Sequence, residues 1–391
     1  MRIAGIIAEY NPFHVGHFHH MRETRARTGC DYVICVMDGA FTQRGEPALL
    51  DKFARAECAL RAGADAVFEL PAVFAVRPAE IFARGGVGIL DALGADDLSF
   101  GCETDDLSLL KRLSDTLLKE PDALKSGIRV GLRQGKTLAR ARGEALSRLT
   151  GADEALLRQP NVTLAIEYLK SLSALSSPMR AVAIRRTAPY HSGGGESASA
   201  ASVRAMIRAR QTDEAIALLP DAARPILQKA RNGGFSDPAA LDNLALSRLR
   251  RMSLSEAEAL PDAGEGLAGR LLTCAREAES YESLVSAVKC KRYTRARITR
   301  LIAAAMIGLG AEAPNRVPYL RLLGFRRDAR PLLSELSARA KLPISSDPAR
   351  LEGSPAFEAE KRATDLWGLT TSDPKLRVCG RDRTQKFIVV S

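Results

Sequence analysis

The stretch "AEYNPFHVGHFHH", residues 8–20, decides how this chain is read. The sequence contains five histidines, and four of them, His14, His17, His19 and His20, lie inside that stretch. Just before it, "RIAGIIAEY" (2–10) is short, apolar and β-branched, the look of a strand buried on both faces. Just after it begins, residues 14–28 carry a helical pattern. The histidines therefore sit where a first strand passes into a first helix. In an open parallel sheet, ligands bind beyond the carboxyl ends of the strands. A helix N-terminus there offers unpaired N–H groups and a partial positive charge, both suited to phosphate. Gly16 leaves room for close backbone approach, and Pro12 fixes the entry of the chain. Two imidazoles at i and i+3 share one face of a first turn. They can donate hydrogen bonds to phosphate oxygens as negative charge builds during displacement at phosphorus.

Working outward, "DYVICVMD" (31–38), "DAVFELP" (65–71), "DDLSFGCE" (96–103) and "RAVAIRR" (180–186) read as further strands. Helical patterns at 14–28, 51–63 and 79–94 alternate with them. This alternation indicates an α/β fold with a doubly wound, Rossmann-like parallel sheet. Residues 105–178 read as a helical insertion, and a helix is expected from about 200 to 210. No strand is expected between 211 and about 370, where Ala, Leu, Arg and Glu dominate. The expected organisation is thus a nucleotide-binding domain over 1–210 and a basic, mainly α-helical second domain over 211–391. The end, 376–390, is read as a terminal hairpin.

Composition narrows the function classes. Net charge is +11, and it is unevenly placed: residues 1–200 carry 25 Lys+Arg against 24 Asp+Glu, residues 201–391 carry 32 against 22. A basic back half suggests a polyanionic partner. Seven scattered cysteines with no CxxC pair speak for reduced thiols rather than a zinc ribbon. The apolar run after Arg2 is short and broken by Glu9, unlike a secretory signal, and Leu301–Ala311 is too short to span a bilayer. The expected compartment is the cytoplasm. His14, His17 and His20 at i, i+3, i+6 lack a carboxylate or thiol at helix spacing beside them, so no metal site is assigned. The first strand–helix turn has no GxGxxG, which argues against a dehydrogenase.

The letters "HVGH" are the HxGH signature of the nucleotidylyltransferases, enzymes that attack the α-phosphate of a nucleoside triphosphate and release pyrophosphate. "ASAASVR" (198–204) resembles that superfamily's second phosphate-binding element, with Ser199, Val203 and Arg204 matching and Ala200 and Ala201 in place of hydroxyl residues. Longer blocks are more specific. "GIIAEYNPFHVGH" (5–17), "QRGEPALLDKFARAECAL" (43–60), "FELPAVFAV" (68–76), "LSFGCE" (98–103), "PNVTLAIEYLKSL" (160–172), "IRRTAPYH" (184–191) and "KRYTRARITRL" (291–301) resemble the bacterial tRNA(Met) cytidine acetate ligases. Asp38, in "VMDGAF", departs from the small hydroxyl residue the pattern leads one to expect.

The resemblance implies a two-step reaction. ATP and acetate give acetyl-adenylate and pyrophosphate, and the acetyl group then passes to N4 of the wobble cytidine of elongator tRNA(Met). It implies ATP, with Mg²⁺, as substrate, and RNA as partner, with no role for DNA or a membrane. By the same resemblance, the segment Ile7, Ala8, Glu9, Tyr10, Asn11, Pro12, Phe13, His14, Val15, Gly16, His17, Phe18, His19 and His20 cradles ATP. His14 and His17 are the catalytic pair. Gly101 approaches the adenosine through its backbone. Asn161 bonds the nucleotide or caps the following helix, and Arg185 or Arg186 binds phosphate or adenine. Ser199 and Arg204 complete the nucleotide set.

Asp38, Glu103 and His191 follow strand ends and are candidate general bases for the transfer. Lys291, Arg292, Arg295 and Arg297, in the basic block "KCKRYTRARITR" (289–300) around Tyr293, are the expected RNA contacts. Two alternatives remain: a small-metabolite adenylyl- or cytidylyltransferase with an unrelated helical extension, and a nucleotide-sensing RNA-binding protein without catalysis.

Overall fold

A computed structural model describes residues 1–186 and 199–391. Its centre is five parallel strands: β1 (Ile3–Ala8), β2 (Tyr32–Asp38), β3 (Ala66–Leu70), β4 (Asp97–Cys102) and β5 (Arg180–Arg185). They lie in the order β5-β4-β1-β2-β3. Alternate residues of β2 and β3 enter different cores: Ile34, Val36 and Phe68 on one face, Val33, Cys35 and Val67 on the other. Both faces are covered, which is why these strands read as continuous apolar runs. The chain winds from β1 to β2 and β3, then returns to the other side for β4 and β5. That reversal puts a crevice at the carboxyl ends of β1 and β4.

The expected helices fall close to their places. Helix α1 (Val15–Thr28) leaves the end of β1, and α2 (Lys52–Arg61) is capped by Asp51, whose carboxylate accepts from the N–H groups of Phe53 and Ala54. The helix Ala79–Leu93 precedes β4, and Ala200–Arg208 follows β5. Between β4 and β5 lie the helices Leu107–Lys119, Asp122–Arg133, Leu138–Thr150, Glu154–Leu157 and Pro160–Ala174, the insertion read from the sequence.

The back half differs from expectation in its strands. Most of it is helical, but β6 (Leu320–Arg326) runs antiparallel beside β3 and continues the same sheet. Strands β7 (Ile344–Ser345) and β8 (Ile388–Val390) both pair parallel with β6. In place of a terminal hairpin, a short helix Arg381–Thr384 leads into β8 alone. The strand β6 was hidden by two arginines in "LRLLGFR". Arg321 is buried there only because carboxylates from elsewhere in the chain meet it. The sheet therefore crosses the boundary expected at residue 210, and β3, which would otherwise present an unpaired edge, is covered.

A buried charge network holds this junction. The Lys52 ammonium lies 2.6 Å from Glu69, 3.0 Å from Glu360 and 2.7 Å from Asp382, all of them at most 1% exposed. Arg321 donates to Glu69 at 3.1 Å and to Asp382 at 2.5 Å, and the Tyr319 hydroxyl donates to Glu69 at 3.1 Å. Burial pushes Glu360 up to about 7, while Lys52 and Arg321, against the desolvation cost, hold Asp382 down at about 2. Removing one member of such a set strands the others without compensation, at a cost of about 3–5 kcal/mol. Lys52→Met is expected to lower the urea midpoint by that order while unfolding remains a single transition. A midpoint within error of the parent would show that the network contributes little.

Candidate active site

The histidine corner is built by the chain's own capping. His14 is the N-cap of α1, with extended backbone (φ −136°), and its Nδ1 accepts from the Gly16 N–H at 3.0 Å. Three residues on, His17 Nδ1 accepts from the His14 N–H at 3.2 Å. The two rings stack with centroids 3.8 Å apart. Because each Nδ1 is an acceptor, the proton of each neutral ring belongs on Nε2, which is left as a donor. Gly16 is required by this packing: a Cβ there would sit 2.8 Å from His14 Cε1. Tyr10 and Phe13 back the His17 ring, at 4.9 and 5.6 Å between centroids.

Around this corner opens a cleft of about 400 Å³ at the switch between β1 and β4. Ile7, Ala8, Glu9, Tyr10, Asn11, His14, His17 and His20 line one side, and Phe100, Gly101 and Asn161 the other, with Arg186, Ser199 and Arg204 closing the rim. Of the two arginines after β5, Arg186 faces the cleft and Arg185 is exposed away from it. Asn161 is not the N-cap; Gln159 is, and the Asn161 amide donates to Glu103 at 2.7 Å. Ser199 caps the helix Ala200–Arg208, and the Arg204 guanidinium donates to the Asn11 carbonyl at 2.6 Å.

Pro12, Phe13, Val15, Gly16, Phe18 and His19 do not line the cleft. Phe13 is buried in the core, whereas Val15 and Phe18 are exposed, because successive residues on α1 turn to different faces. The sequence reading assigned no site role to Thr42, Gln43, Arg44 and Glu46, nor to Thr163, Leu164 and Tyr168, all of which line it. The block "QRGEP" was a signal for the first group, but only packing brings it to the nucleotide corner.

The general-base candidates fare differently. Asp38 is fully buried and held by Arg55 at 2.8 Å; it does not reach the cleft. That ion pair accounts for a carboxylate where a hydroxyl residue was expected. Glu103 is engaged by Asn161, and His191 lies outside the described residues. In the basic block, residues 289–294 precede the helix Arg295–Ile307, so the charges do not share one helix. Tyr293 is buried, its hydroxyl donating to the Glu265 carbonyl at 2.5 Å, and offers no stacking platform. Arg295 is paired bidentately with Glu282 at 2.6 and 2.7 Å, and Arg297 with Glu265 at 2.8 Å. Arg292 lies 3.6 Å from Glu265, and Lys291 is exposed.

Burial sets the protonation of the imidazoles. It depresses His14 to about 4, with Arg186 and Arg204 acting in the same direction, and His20 to about 4, with Arg186 and His19 adding to it. His17 is pushed well below its usual range by burial and then by His14. The corner is thus neutral in its rings and positive in its surroundings. His20, 3.0 Å from Ser99 Oγ, provides a measurable consequence. An unfolded histidine binds its proton near pH 6.5 and folded His20 only near 4. Stability from the neutral ring is therefore complete above 6.5 and lost as pH falls towards 4, by up to ~3 kcal/mol. In urea unfolding at pH 7, 5.5 and 4.5, the wild type should lose stability faster on acidification than His20→Gln. Parallel pH profiles would contradict the assignment.

Comparison with known proteins gives the site a context. A model of the HIGH nucleotidyl transferase family matches residues 1–381. The tRNA(Met) cytidine acetate ligase of Thermoanaerobacter sp. (strain X514) is 36% identical over 388 residues, covering 94% of this chain and 95% of that one. The protein of the same name from Syntrophotalea carbinolica is 40% identical over 367 residues, covering 90% and 86%. Among solved structures, Thermotoga maritima TmcAL bound with alpha-thio ATP superposes with a TM-score of 0.91 at 33% identity, covering 100% of both chains. Its apo form superposes at 0.93. With the HxGH corner at the switch point and this likeness along almost its whole length, the chain belongs to the HIGH nucleotidyl transferase family and, within it, to the tRNA(Met) cytidine acetate ligases.

Proposed function

We propose that this chain uses ATP to activate acetate as acetyl-adenylate, releasing pyrophosphate, and transfers the acetyl group to N4 of the wobble cytidine of elongator tRNA(Met). The observation that carries the reading is the pair of Nε2–H donors left by the His14 and His17 caps at the amino end of α1. Acetate attacks the α-phosphorus, and the P–O bond to pyrophosphate breaks. Two neutral donors and the positive end of a helix stabilise the charge gained by the phosphoryl oxygens. Arg186 and Arg204 add positive potential at the rim. In the second step the cytosine amine attacks the acetyl carbonyl, AMP departs, and the amine loses a proton.

Gly101 supports a close approach of the nucleoside: a Cβ there would meet only Arg186 Cγ, at 3.7 Å, so protein packing alone leaves that face open. Asn161, held towards Glu103, offers its remaining amide hydrogen and its carbonyl to the nucleotide. A Mg²⁺ ion would arrive on the triphosphate; among the described residues no group of three or more His, Cys, Asp or Glu gathers to hold one. No described helix is long and apolar enough to cross a membrane. The setting we assign is the cytoplasm, where ATP and tRNA are found. Lys291 and Arg292 are the more available of the RNA-facing cations, since Arg295 and Arg297 must exchange a carboxylate for a phosphate.

The reaction is tested by PPi–ATP exchange with and without acetate and tRNA. Exchange that requires acetate is expected. Turnover with another small metabolite and no tRNA binding would make the chain a small-metabolite nucleotidylyltransferase, and ATP binding without exchange would make it a non-catalytic RNA-binding protein. His14→Asn retains a short acceptor for the Gly16 N–H but loses the ring donor. Its exchange rate should fall by about 10²–10³ with the thermal midpoint little changed; wild-type exchange would put the chemistry elsewhere. Lys291→Ala with Arg292→Ala should weaken tRNA binding and flatten its log–log salt dependence by about 1–2. An unaltered slope would remove this block from the interface.

A further inference from the structure

The near-balance of charge over residues 1–200 conceals a local excess. The helical hairpin 122–150 carries seven Lys+Arg against two Asp+Glu, and the rest of 1–200 carries 18 against 22. The positive surplus of the front half is thus concentrated in one prong, made of the helices Asp122–Arg133 and Leu138–Thr150. Lys125, Arg129 and Arg133 follow one another at i, i+4, i+8, so they form a single stripe. All three are exposed, and none makes an ion pair among the described residues. Of the two acidic side chains in the hairpin, Asp122 stands in the first turn of its helix, before the stripe, and Glu144 is already taken by Lys136 at 2.6 Å and Arg140 at 3.0 Å.

The hairpin is also rigid. On the side opposite the stripe, Gly127 and Gly131 let the two helices close: a Cβ would lie 2.8 Å from Ala145 Cβ and 2.6 Å from Ala141 Cβ. Its apolar residues Leu124, Ala145 and Leu146 are built into the main core together with Val162 of the helix Pro160–Ala174. That helix contributes Pro160, Asn161 and Thr163 to the cleft. The basic block around Lys291 is seated in the same manner on the other wall. Thr299 Oγ1 donates to the Arg44 carbonyl at 2.5 Å, and Arg44 lines the cleft. Two cationic surfaces therefore stand on elements tied to residues that line the cleft.

We propose that the stripe Lys125–Arg129–Arg133 on the inserted hairpin is a second backbone-binding surface for the tRNA substrate. It grips phosphates on the side of the cleft away from the block at 289–297, so that the acceptor base is presented from between the two. The inference rests on the function proposed above. Three like charges spaced by one helical turn, with no carboxylate between them, destabilise an isolated helix slightly; a polyphosphate backbone supplies the missing counter-charge. The hairpin also exposes Val130, Leu132, Leu138 and Leu149, so an anionic lipid surface is the competing partner that the test must separate from RNA.

The test is the triple variant Lys125→Gln/Arg129→Gln/Arg133→Gln in the full chain. tRNA affinity is measured across a salt series, with acetate-dependent PPi–ATP exchange as the check that nucleotide chemistry is intact. The expected result is normal exchange, weaker tRNA binding, and a log–log salt slope reduced by about 2–3, since each lost phosphate contact removes about 0.7–0.9. Unchanged affinity and slope with normal exchange would overturn the proposal. So would loss of binding to anionic phospholipid vesicles with tRNA binding intact. If the wild type shows no acetate-dependent exchange, while the triple variant still loses salt-sensitive tRNA binding, the function proposed above fails and the surface stands.

Discussion

A lysine ammonium removed from water must be compensated where it lies, and Lys52 sets that condition for this fold. Glu69 comes from β3, Glu360 from the helix Pro355–Gly368 and Asp382 from the short helix Arg381–Thr384, so three separated parts of the chain must converge on one nitrogen. Arg321 of β6 then shares two of the same carboxylates. The attraction in a dry interior is large only with this geometry. The network is better understood as specifying which segments meet than as adding net stability.

Helix α2, which bears Lys52, connects that junction to the histidine corner. One turn after Lys52, Arg55 donates to the carbonyl of Glu9 at 2.6 Å and to Asp38 at 2.8 Å, and also bonds the carbonyl of Gly39. Glu9 belongs to the loop that delivers His14, so α2 clamps the approach to the histidine corner from behind. The Asn11 side chain adds a second tie, its Oδ1 accepting from the Leu49 N–H at 2.7 Å. The cap of α1 is therefore positioned by backbone contacts as much as by its own imidazoles.

The cleft and the helix Arg295–Ile307 meet through the turn 42–46. Gly45 there has φ +75°, and a Cβ would sit 2.7 Å from the backbone of Arg300. Thr42, Gln43 and Arg44 face the cleft while the turn packs on the first turns of the helix Arg295–Ile307. The helix Arg295–Ile307, which carries the end of the basic block, is thus packed directly against the cleft wall.

Much of the fold and the site was legible in the letters. Short, continuous apolar runs marked all five parallel strands, and the spacing His14-x-Gly16-His17 after a strand pointed to a phosphate site because the geometry there is local: a cap, a turn, two rings on one face. What was not legible depended on distant partners. The strand β6 looked unlike a strand because Arg321 is tolerated only beside Glu69 and Asp382. Arg186 could be told from Arg185 only by the direction in which β5 ends. The sequence by itself determined the doubly wound half and the place of the histidine corner, since both follow from short-range patterning and capping. Tertiary structure alone decided that the helical back half lends a strand to the same sheet and that the 42–46 turn lines the cleft, because each requires buried charges or backbone contacts supplied from far along the chain.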